Sequence, residues 1–138
     1  MTPVKVTIDA RIKAKVNKVW EYWNNPQHIT CWNFAHESWC CPRSQNDLKV
    51  GGKFITRMEA RDGSFGFDFE GTYTEVSVHQ KIAYTMPDGR KVSSTFVENG
   101  EATHLTTVFD AESQNPVELQ QQGWQAILNN FKAYVENN

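Results

Sequence analysis

Apolar and polar residues alternate along the first part of the chain. From Val4 to Val16 every even position is apolar, while the odd positions are almost all polar. A period of two puts the apolar side chains on one side of an extended backbone. The segment is therefore predicted to be a β-strand with one buried face.

The period then becomes helical. Val19, Trp20 and Trp23 fall at helical spacing, and Asn25-Pro26 follows them. Asn is a good N-cap and Pro fits the first helical position, so this pair ends one helix and opens another. Two short helices are predicted, and at about two turns each they are stable only when packed on something larger.

From Gly51 onward the pattern predicts an antiparallel meander. Asp62-Gly63, Asp88-Gly89 and Asn99-Gly100 are typical hairpin turns, and they separate four successive strands. The residues predicted to face inward are Phe54, Thr56, Met58, Ala60, Phe65, Phe67, Phe69, Tyr73, Ile82, Tyr84, Met86, Val92, Ser94 and Phe96. Gly71 interrupts the second of these strands and predicts a bend or bulge there.

The last strand has an ambiguous inward face, and a long helix is predicted after it. Either Leu105, Thr107 and Phe109 or the intervening Thr106 and Val108 face inward. Asn115 to Glu118 then form a capping-box arrangement that predicts the start of a helix. Apolar residues continue at spacings of three and four as far as Val135, which predicts a helix of roughly 30 Å.

These elements predict one α+β domain over residues 1–138. A curved antiparallel sheet of about six strands wraps around the long carboxyl-terminal helix, with two short helices after the first strand. The inner face is rich in aromatic residues. Large rings on a curved sheet either leave a mostly apolar cleft for a small molecule or fill the core, and the sequence leaves both alternatives open.

Composition narrows the function classes. The formal net charge of −2 does not favour nucleic-acid binding. The amino terminus lacks the apolar core of a signal peptide, and no stretch is apolar enough for membrane insertion. Three cysteines are an odd number and no N-glycosylation sequon is present, which together predict a reducing, cytoplasmic location.

Residues 31–42, CWNFAHESWCCP, contain potential metal ligands. Zinc sites usually use two ligand pairs two to four residues apart, whereas this stretch offers one irregular set of Cys31, His36, Cys40 and Cys41. No metal and no other cofactor is therefore predicted. A reactive thiol needs a cationic neighbour, and His36 could serve Cys40 in that way.

Several motifs together resemble the Hsp90-ATPase-activator-homologue-like family of the START/Bet v 1 superfamily. They are Val19-Trp20-Glu21, Asn25-Pro26-x-His28-Ile29, Trp32, the run Asp47-Leu48-Lys49-Val50-Gly51-Gly52-Lys53-Phe54, and Gly123-Trp124-x-x-Ile127-Leu128-x-Asn130-Phe131. The resemblance covers nearly the entire chain. It implies the helix-grip fold, with a cavity between sheet and long helix for an apolar molecule, and it makes residues 31–42 a mobile aromatic lid.

The leading hypothesis is a binding protein for a hydrophobic small molecule. Its predicted ligand-binding residues are Trp32, Trp39, Phe54, Met58, Phe67, Phe69, Tyr73, Tyr84, Phe96, Trp124, Leu128 and Phe131. Polar specificity would come from Tyr73, Tyr84, Ser94 or Thr56, which face inward by strand parity. For each of these residues, plain core packing is the alternative.

Two other functions are compatible with the resemblance. The chaperone activators that name the family carry a separate domain ahead of this one, which this sequence lacks, so an Hsp90 partnership is only the third hypothesis. An enzyme of the polyketide cyclase or dehydratase type is the second. It would need His104 or His36 in the cavity, because parity puts Glu59, Asp68 and Glu70 on the outer face.

The sequence also departs from the family at the start of the first helix. Lys15 is a poor N-cap, which predicts a first helix shifted toward Asn17.

Overall fold

The computed structural model describes residues 4–138. Residues 1–3 lie outside this range. They belong to the amino-terminal segment that is predicted not to be a signal peptide. The elements are β1 (Lys5–Ile12), α1 (Val16–Asn24), α2 (Pro26–Trp32), β2 (Trp39–Asn46), β3 (Lys53–Ala60), β4 (Gly66–Ser77), β5 (Lys81–Thr85), β6 (Lys91–Asn99), β7 (Ala102–Asp110) and α3 (Val117–Asn137).

The strands form one antiparallel sheet in the order β1-β7-β6-β5-β4-β3-β2. Strands β3 to β7 are the predicted meander, and β1 pairs with β7, the last strand. Helices α1 and α2 carry the chain from one edge of the sheet to the other. A curled sheet around a long carboxyl-terminal helix is the predicted helix-grip arrangement, which is confirmed.

Burial confirms most of the predicted strand faces. Along β1 the even positions from Val6 to Ile12 are buried and the odd ones exposed. The open choice in β7 is resolved in favour of Leu105, Thr107 and Phe109, all of them buried. Helix α3 closes the core from the other side with Leu128, Phe131 and Val135, which are at most 1% exposed.

The sheet has seven strands rather than about six. The additional strand is β2, which includes the second half of the stretch predicted to be a mobile lid. Trp39 and Cys40 pair with β3, while Cys41 and Pro42 lie in the register shift between Cys40 and Arg43. The lid prediction is therefore wrong for these residues. An edge strand tolerates Pro42 because the missing N–H can face solvent.

The amino-terminal half of β4 is less buried than predicted. Phe65 and Phe67 are 61% and 41% exposed, whereas Tyr73 is buried. The strand is twelve residues long, but its neighbour β5 has only five. The β3–β4 hairpin therefore extends past β5, and the rings near its tip pack against Trp39 of β2 rather than in the buried core.

Gly71 is not the site of a bulge, which corrects that part of the prediction. The register shift of β4 against β5 lies between Tyr73 and Glu75. A Cβ on Gly71 would lie 2.7 Å from the ring of Phe54 and 2.9 Å from that of Tyr84. Glycine is therefore required there by close ring packing.

Helices α1 and α3 both begin differently from the sequence prediction. Helix α1 begins at Val16 and not near Asn17, and the side chain of Lys15 makes no capping bond. The carboxylate of Glu98 instead accepts a hydrogen bond from the Val16 N–H, at 3.3 Å. Helix α3 begins at Val117 without the predicted capping box, because its cap, Pro116, has no side-chain acceptor.

Helix α3 also protects the free edge of the sheet. The side-chain amides of Gln121 and Gln125 donate to the backbone carbonyls of Thr7 and Asp9, at 3.2 and 3.0 Å. These carbonyls lie on the edge of β1 that faces away from β7. The helix is thus held along β1 by polar contacts as well as by its apolar stripe. Within residues 4–138, none of the three helices has the length and apolar character needed to cross a membrane.

Candidate functional site

A cavity of about 580 Å³ lies between the inner face of the sheet and α3. Its size falls in the range of small-molecule sites, roughly 300–1,000 Å³. The lining residues are Ile8, Trp23, Trp32, Asn33, Met58, Phe67, Asp68, Phe69, Glu70, Tyr84, Met86, Pro87, Asp88, Arg90, Ser94, Thr107, Trp124, Ile127 and Leu128. Most of these side chains are apolar.

Tryptophans form two walls of the cavity. Trp124 of α3 stacks on Phe109 of β7 with ring centroids 4.0 Å apart. Trp23 of α1 and Trp32 of α2 stack on each other at 5.1 Å, and both meet the ring of Phe131 edge-on. Each wall ring is thus fixed from behind by a core ring, so the cavity surface is pre-formed.

The mouth of the cavity lies where β4 and β5 stop pairing. Their ladder ends at Thr72 and Thr85, and the same register would place Gly71 opposite Met86 and then Glu70 opposite Pro87. Pro87 has no N–H to donate, so the ladder cannot continue in the usual way. The turn Met86–Arg90 separates from β4 at this point, and residues of both segments line the opening.

Two of the acidic residues at the mouth, Asp68 and Glu70, belong to the outer face of β4. The carboxylate of Asp68 points to the outer face, where it lies 3.4 Å from Arg57. Glu70 has the same parity and pairs in register with the half-exposed Ile55 of the outer face. The prediction that Asp68 and Glu70 face outward is confirmed, although both residues border the cavity.

Tyr84 supplies a polar group inside the cavity. Its hydroxyl forms no hydrogen bond with any residue in the range 4–138, and it lines the cavity rather than being sealed in the core. Burial raises the pKa of Tyr84, while the charge of Arg90 lowers it by a smaller amount. The phenol therefore stays protonated and is available to donate a hydrogen bond.

Arg90 and Asp88, on the turn between β5 and β6, line the same cavity as Tyr84. The Arg90 Nε donates to Asp88 Oδ2 at 2.7 Å, and the Arg90 side chain is 26% exposed. Among the described residues, the two terminal nitrogens of Arg90 have no hydrogen-bond partner. Deeper in the cavity, the hydroxyls of Ser94 and Thr107 bond to each other at 2.7 Å.

The structure places seven of the twelve predicted ligand-binding residues on the cavity wall. These are Trp32, Met58, Phe67, Phe69, Tyr84, Trp124 and Leu128. The other five lie elsewhere. Phe96 and Phe131 are core residues, Phe54 packs under Tyr84, Tyr73 donates to Asn46, and Trp39 packs against Phe65 and Phe67. Whether the seven bind a ligand stays a prediction.

Of the four polar residues predicted to give specificity, two reach the cavity. Tyr84 and Ser94 line it, whereas Thr56 bonds to Ser44 at 2.9 Å. Tyr73 is occupied by Asn46, and burial raises its pKa to about 12. Asp88 and Arg90 were missed, because the sequence PDGR is fully explained by a turn. Their signal was a pair of opposite charges two residues apart, directly after an inward-facing strand.

The histidines named for a catalytic role lie away from the cavity. His104 is on the outer face, with Nε2 2.8 Å from Asp9 Oδ2. His36 bonds to Ser38 in an exposed turn. Neither lines the cavity, so the arrangement that would favour acid–base catalysis is not formed by these residues.

The cysteine-rich stretch is divided between three environments. Cys31 is exposed on α2, Cys40 is half-buried on β2, and Cys41 is buried. Burial is the main cause that raises the pKa of Cys41 to about 11. Across residues 4–138, no three His, Cys, Asp or Glu side chains are grouped as metal ligands.

The fold and the cavity together define a helix-grip protein of the START/Bet v 1 type. The family described as "Activator of Hsp90 ATPase homolog 1-like protein" matches residues 13–136. The chain belongs to this family, as the sequence motifs predicted. No curated protein matches the chain.

Solved structures agree with this assignment. The AHSA1-like protein from Aeromonas hydrophila is 43% identical, with a TM-score of 0.91 over 97% of this chain and 93% of that one. A protein from Cytophaga hutchinsonii is 51% identical, with a TM-score of 0.84 over the same shares. One from Chromobacterium violaceum, at 22% identity and a TM-score of 0.85, covers 97% and 98% and supports the fold alone. Family and fold support a ligand-binding or co-chaperone-type role in general.

Proposed function

We propose that this protein binds an apolar or aromatic small molecule in the cavity between the sheet and α3. The observation that carries the proposal is the cavity itself. It remains open although aromatic rings surround it, because Phe109 and Phe131 hold the wall tryptophans from behind. An apolar ligand would displace water from these rings at about 25 cal/mol for each Å² buried.

The route of entry is the opening between β4 and the Met86–Arg90 turn. Pro87 keeps the two segments from pairing, so a ligand can reach the cavity without unfolding the sheet. The half-exposed Phe67 stands at this opening. It offers an apolar surface on which a ligand can make its first contact.

The test is an amide NMR titration of the delipidated protein with fatty acids, sterols and planar aromatics. Native mass spectrometry of the protein as purified would be recorded alongside. Saturable shifts at Trp32, Phe67, Tyr84 and Trp124 are expected. The variant Ile127→Trp fills the cavity from α3 and should abolish them, whereas Leu119→Trp, on an exposed part of the same helix, should not. If no compound shifts these residues, the cavity is not a binding site.

A chaperone-related role is the second candidate, and the family match favours it. It would depend on the outer surface rather than on the cavity. Stimulation of Hsp90 ATP hydrolysis by the wild-type protein, unchanged in Ile127→Trp, would support it. No stimulation and no capture of Hsp90 would leave ligand binding as the function.

A further inference from the structure

The polar groups at the mouth end of the cavity are hydrogen-bond donors in excess. The Tyr84 hydroxyl and both terminal nitrogens of Arg90 have no partner among residues 4–138, whereas the nearest carboxylate, Asp88, already accepts from the Arg90 Nε and N–H. No fully buried side-chain nitrogen or oxygen of the described residues lacks a partner, so these donors are open to solvent. A ligand that displaces this solvent makes them costly unless it offers an acceptor in its place.

Arg90 is also the only cationic side chain among the cavity-lining residues described. Its charge reaches both Tyr84 and Glu112, since it lowers the pKa of each. Glu112 is occupied by the backbone N–H groups of Gln114 and Asn115, at 2.9 and 2.8 Å. Asp88 is 56% exposed, so water screens much of its charge. A further anion can therefore bind on the cavity side of Arg90.

We propose that the ligand carries a carboxylate, which accepts hydrogen bonds from the terminal nitrogens of Arg90 and from the Tyr84 hydroxyl. This inference rests on the proposed function. The planar guanidinium suits a carboxylate because it can donate two parallel bonds. The apolar part of the ligand then lies between Trp124 and the Trp23–Trp32 wall.

The experiment compares naphthoate with its methyl ester, which keeps the ring and the carbonyl but lacks the charge. Binding is measured by amide NMR shifts and by calorimetry. We expect the acid to bind at least about tenfold more tightly than the ester, as charge-assisted bonds are the stronger ones. Arg90→Met should reduce this difference to about twofold or less, while Tyr84→Phe should weaken both compounds. Arg11→Met, on the exposed outer face of β1, is the matched control.

Asp88→Asn should strengthen binding of the acid, which is the opposite of the effect expected for Arg90→Met. The asparagine can still accept the N–H of Arg90 but no longer competes for its charge, so acid binding should tighten about threefold while ester binding stays unchanged. Equal affinity for acid and ester, or an acid preference that survives in Arg90→Met, would overturn the carboxylate inference and leave cavity binding intact. If neither compound binds and Ile127→Trp changes nothing for any other compound, both proposals fail.

Discussion

The ring of Tyr84 packs edge-on against the ring of Phe54, with centroids 4.7 Å apart and planes at 72°. Both rings lie over Gly71, which leaves no room for a side chain. Aromatic pairs prefer this edge-to-face geometry. The contact matters for the site because it fixes the direction in which the Tyr84 hydroxyl enters the cavity.

Gly71→Ala should destabilise the protein by about 1–3 kcal/mol, the usual cost of overpacking. The new methyl group would have to displace the ring of Phe54 or of Tyr84. Urea unfolding followed by tryptophan fluorescence measures the loss. We also expect ligand binding to weaken, because the Tyr84 hydroxyl moves with its ring.

The control for Gly71 is the glycine of α3. A Cβ on Gly123 would contact nothing within 4 Å, and alanine is the better helix former by about 0.5–1 kcal/mol. Gly123→Ala should therefore stabilise the protein. If the two substitutions changed stability equally, backbone entropy and not ring packing would determine the effect of Gly71→Ala.

Phe131 is a test of the difference between core and cavity residues. It is fully buried and supports both Trp23 and Trp32, yet it does not line the cavity. Phe131→Ala should cost about 3–5 kcal/mol of stability. Met58→Ala, at the cavity wall, should cost less stability than Phe131→Ala, and its main effect should be weaker ligand binding. Leu119→Ala, which is 56% exposed, should stay within about 0.5 kcal/mol of wild type. A small loss for Phe131→Ala would mean that the wall tryptophans do not need support from behind.

Period-two alternation predicted six of the seven strands, because their side chains alternate between a core face and a more exposed face, most clearly in β1, β3 and β6. Strand β2 lacks this signal. Its sequence WCCPRSQN contains a proline and a register shift, and it lies at an edge where burial is one-sided and irregular.

The candidate site was predicted better in its apolar part than in its polar part, where Tyr84 and Ser94 were predicted but Asp88 and Arg90 were not. Strand parity placed Phe69 and Tyr84 toward the helix, as found. It could not show that Phe67 and Phe65 lie beyond the end of β5, because that depends on where a neighbouring strand stops. Pro87 sets that stopping point, and the turn around it carries Arg90 to the mouth.

Asp110 should make stability depend on pH in the acidic range. Its buried carboxylate accepts hydrogen bonds from Lys5 Nζ and from the Lys91 N–H, the latter at 2.8 Å. Burial by itself raises the pKa of Asp110, but these bonds outweigh it and hold the pKa below the ordinary value. The stabilisation is therefore complete above the unfolded pKa of about 3.9 and is lost as pH falls through the lower, folded pKa.

Asp110→Asn should lose about 1.5–3 kcal/mol at pH 7, the usual worth of hydrogen bonds to a charged group. The gap to wild type should be constant down to about pH 4 and narrow below it. Urea unfolding at a series of pH values measures this. Lys5→Met should cost less, since Lys5 is 56% exposed and the Lys91 bond remains. A gap that widens in acid would contradict the assignment.

The three cysteines should differ in reactivity as their burial differs. Cys41 is 3% exposed, and burial, helped by the nearby Cys40, raises its pKa to about 11. Because the thiolate is the reactive form, each unit of pKa removes about tenfold of it near neutral pH. At pH 8 the exposed Cys31 should react with dithionitrobenzoate at least about a hundredfold faster than Cys41, as followed by absorbance in two double variants that each keep one of these thiols, Cys40→Ser/Cys41→Ser and Cys31→Ser/Cys40→Ser. Unfolding in urea should make the two rates similar, since the difference comes from the folded environment. If Cys41 reacts as fast as Cys31 in the folded protein, then β2 opens readily, and the stretch behaves as the mobile segment that its sequence first suggested.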